Sequence, residues 1–202
     1  MLNFELYNPV RIIFGPGEAE NIGKYTKEYG TKAMLVTYDV HDFFNELLAK
    51  LDKSFKDAGV TVTEFFKVKP NPRLSDIEEA IDICRKEGIE VIVALGGGSV
   101  MDSAKAIGAG VKYDGDPWKM FVSRHDKAVA VPPTDTLPTI MIPTKSATSS
   151  ETNNVAVATN DRTHEKAYIW APVLYPKICV MDPCVTATLP KFPMAAGAVD
   201  AM

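Results

Sequence analysis

At Val91 the chain reads Val-Ile-Val-Ala-Leu and passes directly into Gly96, Gly97 and Gly98, followed by Ser99. Three glycines in a row are costly to order, since glycine loses more backbone freedom on folding than any other residue. A chain keeps them where side chains cannot be accommodated. Beyond them Val100, Ala104 and Ile107 recur at helical spacing, with Asp102 and Lys105 one turn apart where they can pair. The stretch predicts a buried strand, a bare corner that something approaches closely, and a helix.

Neighbouring segments repeat this alternation. Lys32 to Asp39 is strand-like, residues 42–58 place Phe44, Leu47, Leu48, Leu51 and Phe55 on one helical stripe, and Val60 to Phe66 is strand-like again. Ser75 followed by Glu78 has capping-box spacing, ahead of a helix with Ile77, Ala80, Ile81 and Cys84 inward and Gly88 at its end. Thr139 to Pro143, Val155 to Thr159 and Ile178 to Asp182 read as strands, with a short one at Ala128 to Val131 among turn residues. The pattern predicts an α/β fold, a Rossmann-like parallel sheet flanked by helices.

Composition narrows the partners. The 202 residues carry a formal net charge of -4 and no block of Lys and Arg, so neither nucleic acid nor a membrane surface is expected. The N-terminal stretch lacks the pattern of a cleaved leader, and nowhere do about eighteen apolar residues follow one another. A cytoplasmic protein is expected. Cys84, Cys179 and Cys184 are odd in number without metal-like spacing and read as reduced thiols. His41, His125 and His164 are scattered and read as surface or loop residues.

In an open parallel sheet, ligands bind beyond the carboxyl ends of the strands. The glycine corner stands at such an end, where bare backbone and free N–H groups at a helix start favour phosphate oxygens. It is not the G-x-G-x-x-G fingerprint, and a tight strand-to-helix turn without a ligand is the plainer alternative.

GGGSVMDSAKAIG resembles the GGGSxxDxxK segment of the iron-dependent (group III) alcohol dehydrogenases. FGPG at Phe14, PNP at Pro70, PTKSATSSETN from Pro143, DP at Asp182 and the terminal AAGAVDAM resemble other segments of that family in the same order. DPWKMF from Asp116 resembles its butanol dehydrogenase branch, although glycerol dehydrogenases and dehydroquinate synthases share the glycine segment. The resemblance implies a dehydroquinate synthase-like NAD(P)-binding domain over residues 1–187, with residues 188–202 starting a helical metal-binding domain that is otherwise missing. The implied reaction is hydride transfer between NAD(P)H and a small aldehyde or primary alcohol, assisted by Fe2+ or Zn2+. A stand-alone nucleotide-binding module or a glycerol dehydrogenase relative are the alternatives, and a homodimer is compatible with all three.

Carried over by position, Gly97, Gly98, Ser99 and Asp102 would hold the pyrophosphate region, and Thr144 and Thr148 would border the cofactor. Asp39, at a strand end, would read the ribose and slightly favour NAD by repelling a 2′-phosphate. Asn71, expected in extended geometry between two prolines, would contact the nucleotide, and Lys166 would lie near the ribose and nicotinamide. Plainer readings stay open: Asp39 capping the helix at 42–58, Asn71 as a turn residue, Lys166 as a solvated lysine. Lys145 departs from the family loop by adding a positive charge where glycines are usual nearby. Asp200 takes the Asp position of a site that normally adds three histidines, the first four residues further on, and the sequence ends at Met202. By itself the chain is expected to bind NAD(H) weakly and to reduce no aldehyde; no catalytic residue is assigned.

Overall fold

The apolar runs become the inner strands of one sheet in a computed structural model that describes residues 3, 5, 7–39, 42–123, 130–145, 148–187 and 189–200. The strands of this sheet are β1 (Arg11–Phe14), β2 (Lys32–Tyr38), β3 (Thr61–Val68), β4 (Val91–Gly96), β5 (Thr139–Pro143) and, after a separate hairpin of β6 (Val155–Asn160) and β7 (Glu165–Trp170), β8 (Ile178–Met181). They lie in the order β1-β8-β5-β4-β2-β3, and every pairing is parallel. The helices are α1 (Ile22–Lys27), α2 (Asn45–Asp57), α3 (Leu74–Glu87), α4 (Gly98–Lys112), α5 (Pro183–Thr186) and α6 (Lys191–Asp200).

Both faces of the sheet are covered. Val91, Val93, Leu95, Ile140 and Ile142 pack with Ile22 of α1 and with Leu51 and Phe55 of α2. Ile92, Ala94 and Met141 pack on the other side with Ile77 and Ile81 of α3 and with Val100, Ala104 and Ile107 of α4. A strand covered on both faces cannot alternate apolar with polar, which is why Val91 to Leu95 is one continuous run. Each such aliphatic side chain contributes about 1.5–3 kcal/mol by leaving water.

Two strands escape the sequence reading. β1 lies at the sheet edge with Arg11, Ile12 and Phe14 exposed, so it carries no buried apolar run. β7 alternates regularly, but two of its three buried positions are Glu165 and Ala167, which hide the period. Of the strand expected at Ala128 to Val131, Ala128 and Val129 lie outside the described residues, and Val131 is exposed and in no strand.

The capping-box expectation is corrected by the hairpin. α3 starts at Leu74 with Arg73 as its N-cap, so Ser75 sits inside the first turn. The Ser75 amide donates instead to Asp161 Oδ1 at 3.1 Å, from the β6–β7 turn. A carboxylate arriving 86 residues later does the capping because the hairpin folds over the helix start. Replacing Asp161 by Ala is expected to cost about 1 kcal/mol and to lower Tm by about 2–4 °C in a thermal melt. Gly88 ends the helix as expected, in the left-handed region at φ 67°.

Candidate functional site

The connections decide where a ligand can enter. From β2 the chain moves outward to β3, whereas from β4 it moves the other way to β5, so the topological switch lies between the carboxyl ends of β2 and β4. Tyr38 closes one strand and Gly96 the other.

Packing explains the glycines first. A Cβ on Gly96 would lie 2.5 Å from Val100 Cγ2, one on Gly97 2.9 Å from Tyr38 Oη, and one on Gly98 2.8 Å from Thr148 Cγ2. The corner is therefore bare because three neighbours press on it. One amide of the corner, ahead of the helix, is engaged: the Gly97 N–H donates to Tyr38 Oη at 2.9 Å. Burial raises the Tyr38 phenol above its ordinary value, which keeps it neutral while this bond lowers it in part. Among the described residues the amides of Gly98 and Ser99, the first two of the 15-residue helix α4, donate to nothing, and no side chain caps the helix.

Several expected site residues converge here. The Asn71 amide donates to Ser99 Oγ at 3.2 Å, and Lys166 Nζ donates to Asn71 Oδ1 at 2.9 Å. Asn71 is not extended as expected, but left-handed at φ 62°. Asparagine tolerates that region better than other residues with a Cβ, and contacts from Ser99 and Lys166 hold it there. Thr144 is buried, its amide bonded to Gly96 O at 3.0 Å, which fixes the end of β5 beside the corner.

Asp102 and Lys105 are near each other, yet the expected direct pair does not form. Asp102 Oδ1 accepts from Ser150 Oγ at 2.6 Å and Oδ2 from the Val157 amide at 3.1 Å. Lys105 Nζ donates to the same Ser150 Oγ at 3.0 Å, to Asn153 Oδ1 at 2.9 Å and to Val155 O at 2.8 Å. The serine bridges the two charges because the segment before β6 inserts between them. Burial raises the Asp102 carboxyl, opposed by the Ser150 bond and by Lys105. Burial likewise pushes Lys105 down to about 8, with Asp102 and Glu151 opposing the shift.

The remaining candidates lie apart. Asp39 is exposed just past β2, and α2 begins after Phe44, which makes no side-chain cap. Lys145 borders a cavity of about 290 Å³ with Phe14, Met181 and Asp182, and a wider one of about 720 Å³ with Phe192, Val199 and Asp200 on α6. Asp200 is exposed, and among the described residues no group of three or more His, Cys, Asp or Glu could hold a metal ion. One carboxylate supplies neither the affinity nor the geometry of a metal site, so the described residues do not fit one. His164 is an exposed turn residue at φ 57°; His41, His125, Ser146 and Ala147 lie outside the described residues.

Two stretches with no evident chemistry meet at the carboxyl end of β8. Buried Asp182 accepts from the amides of Gly17 at 3.1 Å, Ala19 at 3.0 Å and Cys184 at 2.9 Å, joining the loop after β1 to the start of α5. Sequence reading offered DP and FGPG as separate markers; nothing local connects residues so far apart.

Comparison with known proteins agrees with this geometry. The sequence profile described as iron-containing alcohol dehydrogenase matches residues 9–183. The probable NADH-dependent butanol dehydrogenase 1 of Bacillus subtilis is 40% identical over 207 residues, which cover 100% of this chain and 51% of that protein. The NADPH-dependent aldehyde reductase YqhD of Escherichia coli is 30% identical over 204 residues, covering 100% of this chain and 50% of its own. The crystal structure of NADH-dependent butanol dehydrogenase A from Thermotoga maritima matches with a TM-score of 0.86 at 39% identity, over 98% of this chain and 48% of that one. The chain spans about half the length of the curated relatives it matches. No helix among the described residues is long and apolar enough to cross a membrane. With a profile match running from the first strand to the last, and the same fold at 39% identity, this chain belongs to the iron-containing alcohol dehydrogenase family.

Proposed function

We propose that the β2–β4 crevice binds NAD(P)H, and that the protein serves hydride transfer between this dinucleotide and a small aldehyde or primary alcohol. The observation that carries the reading is the pair of amides at Gly98 and Ser99, without acceptors among the described residues and opening a long helix at the topological switch. A diphosphate satisfies both amides and meets the positive end of the helix. When bound, the nicotinamide gives or accepts the hydride.

The chain's own residues then bind and orient. Ser99 Oγ accepts from Asn71 and keeps a proton to donate to phosphate. Lys166, held by Asn71, adds a positive charge beside it. Asp39 at the end of β2 disfavours a second phosphate on the ribose, so NADH is the preferred form. Relatives named as NADH-dependent butanol dehydrogenases support this choice and make butanal the first aldehyde to test. Asp200 is assigned one carboxylate ligand position for a divalent metal by resemblance alone, and the dinucleotide reading does not depend on it.

The test is a titration of the chain with NADH and with NADPH, followed by energy transfer from its tryptophans to the nicotinamide. Saturable binding with NADH several-fold tighter is expected. No saturable binding of either would sink the reading, and equal affinities would remove the role given to Asp39.

A further inference from the structure

The hairpin edge beside α4 is closed in an unusual way. β6 pairs with β7 on one side only, so the amides of Val155, Val157 and Thr159 face away from its partner. They donate to Asn153 Oδ1 at 3.0 Å, Asp102 Oδ2 at 3.1 Å and Pro72 O at 2.7 Å. An open strand edge is usually left to solvent or to another strand. Here the elements that carry the glycine corner and Asn71 close it.

Lys105 is the centre of this closure. Its side chain is fully buried, and all three ammonium protons are used, on Ser150 Oγ, Asn153 Oδ1 and Val155 O. Two of those acceptors lead on to Thr148: the Ser150 amide donates to Thr148 Oγ1 at 3.3 Å, and Asn153 Nδ2 donates to Thr148 O at 3.4 Å. Thr148 is the residue whose side chain presses against Gly98. A buried ammonium is tolerated only where its protons are satisfied and a counter-charge is near, here Asp102 across the bridging serine.

We propose that Lys105 is a positioning residue for the dinucleotide site, fastening residues 148–155 to α4 so that Thr148 keeps the Gly98 corner in its binding shape. The proposal rests on the reading of the β2–β4 crevice as a dinucleotide site. Lys105 itself lies beneath the site and touches no ligand in this assignment. The charged groups facing it are Asp102 from α4 and Glu151 from the loop, with Lys166 of β7 beside Asp102. Loss of the proton from Lys105 takes away one of its three donors and leaves the Asp102 charge without its partner. The fastening is therefore complete at neutral pH and loosens as pH rises through about 8.

The experiment compares the unaltered chain with Lys105→Met and with Ser150→Ala, which keeps both charges but removes the bridge. Folding is checked by circular dichroism, NADH affinity by fluorescence, and adenosine binding by NMR shift titration. Lys105→Met is expected to weaken NADH about tenfold, with Ser150→Ala weaker in the same direction, while adenosine, which lacks the diphosphate, binds as before. NADH affinity of the unaltered chain is expected to fall with rising pH through about 8, and that dependence to vanish in Lys105→Met. A folded variant that binds NADH like the unaltered chain overturns the proposal, as does equal weakening of NADH and adenosine. Should Lys105→Met not fold, Ser150→Ala decides by the same two ligands. Failure of the unaltered chain to bind NADH removes the site itself, and the positioning role with it.

Discussion

Gly98→Val is expected to weaken NADH binding at least about 100-fold while the chain still folds. A Cβ at Gly98 already lies 2.8 Å from Thr148 Cγ2 and 3.0 Å from Thr148 Oγ1, and valine adds two methyl groups beyond it. The strain falls on an exposed loop residue rather than on the sheet, because Thr148 is exposed whereas β4 is buried along its length. Residue 98 is the first of α4, where a β-branched side chain costs the helix little. Overpacking of this kind costs about 1–3 kcal/mol of stability, which a 202-residue chain registers as a Tm loss of several degrees. The ligand loses more, since relief of the clash with Thr148 turns the two amides away from a diphosphate. Fluorescence titration and a thermal melt on the same sample separate the two effects. NADH affinity within about threefold of the unaltered chain would show that no phosphate uses this corner.

The largest loss of stability is expected from Asp182→Ala. Asp182 is 4% exposed and accepts three backbone amides from two segments. Alanine leaves those amides without acceptors in a place water reaches poorly, at a cost of about 3 kcal/mol, or about 6–12 °C in Tm for a chain of this size. Asp182→Asn should fall between, because the amide keeps one acceptor oxygen but turns an NH2 group toward an N–H. The NADH corner lies on other strands, so affinity below the melting range should stay unchanged. A Tm shift of less than about 2 °C for the alanine variant would mean that these amides find other partners.

The fold was legible where burial on both faces writes itself into composition. Val91 to Leu95 and Ile140 to Ile142 are continuous apolar runs because helices cover both sides, and both segments are strands of the parallel sheet, as the sequence predicts. β1 and β7 were missed for the opposite reason: an exposed edge, and a half-buried hairpin that buries a glutamate and an alanine, leave no such run. The site was legible as a set of residues, and Asn71, Ser99 and Lys166 do lie within hydrogen-bond reach of one another. Its internal wiring was not. Asp102 and Lys105 at helical spacing suggest a direct pair, Ser75 and Glu78 suggest a local cap, and a flanking proline suggests an extended Asn71. In each case a contact from distant sequence decided otherwise.

The sequence by itself therefore determined which segments are buried and where a bare corner must stand, since hydrophobic periodicity and the lack of a Cβ are properties of neighbouring residues. Only the tertiary structure decided which partner each polar group takes. Ser150 between two charges, Asp161 on the α3 start and Asp182 on the Gly17 loop are separated from those partners by 45 residues or more. A buried donor or acceptor is satisfied by whatever the topology brings within about 3 Å, and chain spacing carries no record of that.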